Sequence, residues 1–163
     1  MLWQAVGFAA VTFGGTLLHF LYDWTGGNLL AAPFSGVNES TWEHMKLLFW
    51  PRFVFALVQR PFFREQKSFW CVKLAEILLG LTLIPVLFYT YNGVFGKSPD
   101  WVNIAIFYIT AALVFLFERW AFSHDRLKCR HPRLALAAIC LIGALFVAFT
   151  FAPPEIPLFQ DPL

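Results

Sequence analysis

His19 and His44 are the first residues to weigh, because imidazole is seldom left inside an apolar chain without a partner. Asp23 follows His19 by four residues, a spacing that puts both side chains on one face of a helix. His44 follows the stretch Val37-Asn38-Glu39-Ser40-Thr41-Trp42-Glu43. Within it, Ser40 to Glu43 has the S-x-x-E form of a capping box, with Ser40 starting a helix and Glu43 reaching back to its N–H. His44 then lies about 6 Å along that helix from the cap, at the depth expected for His19. Imidazole with carboxylate suits zinc, iron or manganese. His19, Asp23 and His44 would hold a divalent metal such as zinc with one position open, where a bound water becomes a hydrolytic nucleophile. Glu39 or Glu43 would then be the general base. Tyr91 and Asn92 come to the same level and would bind a ligand there, with Asn103 nearby. The bland alternative is a capping role for Glu43 and a local hydrogen bond for His19. Haem held between His19 and His44 is a less favoured cofactor.

A second polar group lies deeper. Arg52 sits about 18 Å from the cap along its helix, and Glu76 about 12 Å from the opposite end of the next one. Equal depth predicts an Arg52–Glu76 ion pair, which hydrocarbon would otherwise penalise heavily. Lys73 shares a face with Glu76, and Glu118, Arg119 and His124 lie near the inner end of a later helix. Such a group either holds helices together or relays charge to a ligand bound by Arg52 and Glu76.

The elements that must position these residues are membrane helices. Of 163 residues, 59% are hydrophobic and only 13% charged, against about 25% charged in a soluble domain. A chain this short cannot hide so much apolar surface from water. Spans of about 20 residues fall near 2–22, 40–59, 68–91, 99–122 and 134–151. The expectation is an all-α integral membrane bundle of five transmembrane helices forming one domain over residues 1–163. Arg60, Arg64 and Lys67 follow the second span, and Arg126, Lys128, Arg130 and Arg133 follow the fourth. The positive-inside bias makes both segments cytoplasmic, which puts the N-terminus inside and the C-terminus outside. Small residues Gly7 and Gly15, with Val11, continue the His19 face and would let another helix approach. The apolar first loop and the proline-rich tail after Phe151 are candidates to cover the outer mouth. Cys71, Cys129 and Cys140 have no zinc-knuckle spacing and read as free or structural thiols. A net charge of +2 argues against nucleic acid as a partner.

The segments VNESTWEHMKLLFWP, TLIPVLFYTYNGVFG and APPEIPLFQDP together resemble a family of small bacterial multipass membrane proteins of unknown function. That resemblance implies a bacterial cytoplasmic membrane and importance for Asn38, Glu39, Trp42, Glu43 and His44. The stretch before His44 also resembles, faintly, the ceramidase and progestin-receptor-like membrane hydrolases. It departs from them in the Glu-to-His spacing and in helix number. The leading expectation is a metal-dependent hydrolase of a lipid-like substrate, with membrane lipid as its surroundings. Its rivals are a small-molecule binding or transport protein with an intramembrane charge relay, a haem protein, and an accessory subunit with membrane-protein partners.

Overall fold

The computed structural model describes residues 2–124 and 127–161; Arg126, counted above among the basic residues, lies outside them. Five long helices follow one another: α1 (Leu2–Trp24), α2 (Thr41–Gln59), α3 (Phe69–Phe95), α4 (Asp100–His124) and α5 (Pro132–Phe151). There is no strand among the described residues. Helix α3 runs past its expected end near residue 91. Val94 and Phe95 continue it, and it ends at Gly96, whose φ of +83° suits glycine.

Helices α1, α3, α4 and α5 are long and apolar enough to cross a membrane. Helix α2 differs. It carries Glu43, Lys46 and Arg52, and eleven of its 19 residues are buried. It packs against all four of the others. The bundle is thus built around its most polar helix, while residues such as Phe13, Leu116 and Leu141 face outwards. In hydrocarbon this arrangement follows from polarity: charged groups must find protein partners, and apolar side chains need none.

Close approach of α1 to α2 uses the small-residue face. Gly7, Val11 and Gly15 are all buried. A β-carbon on Gly15 would stand 2.6 Å from the Phe107 ring and 2.8 Å from the Leu47 carbonyl oxygen, so only glycine fits without displacement. On α5, Gly143 gives similar room to Phe49 and Trp50.

The Arg52–Glu76 pair is present at 2.5 Å, but it is half of a larger cluster. Arg52 also meets Glu118 at 2.6 Å, and Lys73 meets Glu118 at 2.6 Å and Glu76 at 3.2 Å. Gln59 donates to Glu118 at 3.0 Å, and the Phe115 ring lies 3.9 Å from the Arg52 guanidinium. Two cations and two anions balance, and all four are fully buried. The cluster joins α2, α3 and α4.

Both candidate covers lie on the bundle. Lys46, buried on α2, donates to the Ala32 carbonyl at 2.9 Å and to Thr150 at 3.0 Å, and Trp50 donates to the Pro33 carbonyl at 2.9 Å. These bonds fix the first loop. The tail returns so that the Phe159 ring packs at a tilt against Trp42, with ring centroids 4.5 Å apart. At the opposite end, Cys71 and Cys129 form a disulfide, which corrects the reading of them as free thiols. The spacing between them, 58 residues, hid the pairing; the α3–α4 hairpin brings the two together. Cys140 alone is free, and exposed.

Candidate metal centre at the mouth of the bundle

Helix α1 delivers His19 one turn before its end, and helix α2 delivers His44 in its first turn. The chain between them reverses tightly. Gly26 and Gly27 adopt φ of +66° and +79°, and Ser35, fully buried, accepts from the Tyr22 N–H at 2.8 Å and donates to the Leu18 carbonyl. Gly36 is thereby set against His19, and the following residues drop Glu39 between the two imidazoles. Asn38 accepts from the Ser40 N–H at 2.9 Å, which holds this turn at the start of α2.

His19 Nε2 stands 3.7 Å from one Glu39 carboxylate oxygen, and His44 Nε2 stands 3.6 Å from the other. One ligand atom from each of the three residues lies within 4.8 Å of the other two. Those separations are too long for hydrogen bonds. Donors around a tetrahedral metal stand about 3.3 Å apart for bonds of about 2.0 Å, so the three groups would close by up to about 1.5 Å to share one ion. The His44 ring is oriented from behind: its Nδ1 lies 2.9 Å from the Ser40 carbonyl oxygen. A proton on Nδ1 leaves the Nε2 lone pair facing Glu39, the tautomer a metal ligand requires. Side-chain exposures of 30%, 60% and 21% for His19, Glu39 and His44 leave the group open to a groove.

That groove has a volume of about 690 Å³. His19, Glu39 and His44 stand in its wall with Asn92, Asn103 and Asp100. Lys97 and Asp161 reach it from the α3–α4 loop and the tail. Deeper in, Gly15, Leu47 and Phe107 line it, with Ile104 and Tyr108 towards the outside.

The structure redistributes the roles expected from sequence. Asp23 is exposed and is not among the three converging residues. It sits a full turn, about 6 Å, beyond His19, whereas the loop brings Glu39 back to the level of the imidazole. Glu39 therefore stands between the imidazoles, where Asp23 was expected. Glu43 does not line the groove. It is buried, pairs with Lys46 at 2.6 Å and accepts from the Val37 N–H at 2.9 Å. Only half of the capping box forms, a long 3.4 Å bond from the Glu43 N–H to Ser40. Tyr91 does not line the groove but packs on Phe95, at 5.1 Å. Adjacent helix residues point about 100° apart, so turning Asn92 inwards turns Tyr91 away. Arg52 and Glu76 do not line the groove either: Arg52 pairs with Glu76 and Glu118, and Glu76 with Arg52 and Lys73.

Sequence reading missed Asp100 and Asp161 as residues of the mouth, and Lys46 as the partner that holds Glu43 and the first loop. Lys46 carried a usable signal, a lysine three residues after Glu43 on the same face. Asp161 carried none, since only the fold-back of the tail brings it there.

An all-helical bundle with four membrane-capable helices around a polar one, and a polar mouth at one end, defines a helical membrane protein. The chain belongs to DUF6512, a family of unknown function, which it matches over residues 1–163. No curated protein matches it, and no solved structure does.

Proposed function

We propose that this protein is a five-span membrane protein that binds one divalent metal ion, zinc by its donor set, through His19, Glu39 and His44, and uses it in hydrolysis. The single observation that carries this reading is the convergence of two imidazole nitrogens and one carboxylate on a shared gap beside a groove. Two His and one Glu is a donor set of catalytic zinc, which keeps a position open for water. The metal would supply a nucleophilic hydroxide near neutral pH and polarise a carbonyl oxygen. With Glu39 a ligand and Glu43 held by Lys46, the carboxylates left beside the groove for proton transfer are Asp100 and Asp161. Haem fits less well, because a porphyrin between the two imidazoles would have to displace Glu39.

Helix α2 is about 28 Å long, enough to cross the hydrocarbon as the fifth span. The basic segments after α2 and α4 lie at the end of the bundle where Cys71 and Cys129 meet, and the positive-inside bias supports a cytoplasmic position for that end, with the metal site outside.

Elemental analysis tests the reading directly. The purified full chain, exposed to zinc and dialysed, is expected to retain about one ion per chain, and the His44→Ala variant none. Equal retention by both proteins, or none by either, would end it.

A further inference from the structure

The groove beside the metal centre has two unlike ends, and one of its walls is open sideways. At the mouth it is polar, with Glu39, Asn92, Lys97 and Asp100 among its lining. Towards the middle of the bundle it is lined by Leu47, Phe107 and the bare backbone of Gly15. Its lateral rim is made by Thr16 and Phe20 of α1 and by Ile104 and Tyr108 of α4. All four are exposed, Ile104 to 58% and Phe20 to 43%. These positions lie on two helices that are each long and apolar enough to cross the membrane, so the surface they open onto is hydrocarbon.

The slot also has a floor. Phe8 of α1 meets Tyr108 and Phe115 of α4 edge-to-face at 6.5 and 6.4 Å, which closes the α1–α4 cleft below the groove. From Asp100 at the rim to Tyr108 at the floor is about 12 Å along α4, most of one leaflet's hydrocarbon depth of about 15 Å. A volume of about 690 Å³ is in the range that encloses one drug-sized ligand. It is matched to one acyl chain with a small head rather than to a two-chain phospholipid.

We propose that this groove takes a single-chain amphiphile, entering sideways from the bilayer between α1 and α4. Its carbonyl-bearing head lies against His19, Glu39 and His44, and its chain against Leu47, Ile104, Phe107 and Tyr108. The proposal rests on the metal reading for what happens to the head, but not for the binding itself. Asn103 reinforces the placement of the head. It lines the groove beside His44, and its oxygen accepts from Ser98 at 2.8 Å. Its amide N–H groups have no partner among the described residues, so a substrate carbonyl can take them. The lateral route uses the exposed rim of α1 and α4 above the aromatic contacts of Phe8 with Tyr108 and Phe115. A water-soluble ligand would need no apolar slot and no opening towards lipid.

The test uses a monoacylglycerol with a photoreactive diazirine in its acyl chain, added to the full chain in phosphatidylcholine nanodiscs. Crosslinked peptides are mapped by mass spectrometry, and bound zinc is measured on the same preparation. Crosslinks are expected to concentrate on the α1 and α4 residues of the groove. The Ile104→Trp or Thr16→Trp variant, each filling the lateral rim at an exposed position, should reduce them by at least about tenfold, the loss of roughly two methylene contacts. Bound zinc should be unchanged. Crosslinks spread evenly over lipid-facing surfaces such as α5, or undiminished in both variants, would overturn the proposal even if zinc is bound. Groove-specific crosslinks on a protein that binds no zinc would uphold it and overturn the metal reading instead.

Discussion

At the scale of single residues, the mouth depends on which carboxylate meets the histidines. Asp23 is nearest to His19 in a helical register, yet Glu39 faces both imidazoles, at 3.7 and 3.6 Å. The two candidates are separable by experiment. The Glu39→Gln change should weaken zinc binding by more than about a hundredfold, beyond the usual effect of losing an outer-layer partner. The Asp23→Asn change should leave it as it was. Competition titration against a zinc-binding dye reads both, and the reverse order would transfer the ligand role to Asp23.

At the scale of elements, α2 supplies both polar centres and depends on its neighbours to satisfy them. Arg52, Lys73, Glu76 and Glu118 form a neutral set with no exposed member. Neutralising one of the anions leaves an uncompensated buried charge, which costs about 3–5 kcal/mol. The Glu118→Gln variant should accordingly lower the thermal midpoint of the detergent-solubilised protein far more than Glu39→Gln does. Tryptophan fluorescence during heating measures it, and equal midpoints for the two variants would show that the cluster does not hold α2, α3 and α4 together. The cluster's distance from the groove lining and its internal charge balance suit this structural role better than a relay.

At the scale of the whole molecule, the charge bias and the cystine make opposite demands. Basic segments belong on the cytoplasmic side, while cytosolic thiols are kept reduced. Yet the Cys71–Cys129 bond joins those same basic segments. If the basic end is inside, Cys71 and Cys129 should be thiols in living cells and pair only on oxidation. Cells carrying a Cys140→Ser variant and lysed directly into N-ethylmaleimide should yield chains with two alkylated cysteines. Unmodified chains that become alkylated only after reduction would place the basic end in an oxidising compartment and reverse the orientation of the metal centre. Neither result changes the fold, because the bundle and its mouth are the same from either side.

The membrane bundle was legible from composition and from the length of the apolar runs, since hydrocarbon imposes helices of about 20 residues whatever the tertiary detail. The glycine face of α1 was legible from helical periodicity, and the Arg52–Glu76 pair from matched depth. Glu118 was placed in the same inner group, but not as a partner of Arg52. Counted from the start of α4 it lies about 27 Å along, against about 18 Å for Arg52 on α2, and sequence does not fix the relative heights at which helices begin. The histidines of the mouth were legible as residue types that need partners. Their partner was not, because it depends on how a 16-residue connection from Thr25 to Ser40 folds back, held by Ser35, Trp50 and Lys46. Helical periodicity describes neighbours within an element; a loop's path, a tail's return and a long-range cystine are set by contacts between distant parts of the chain, and only the folded structure decides them.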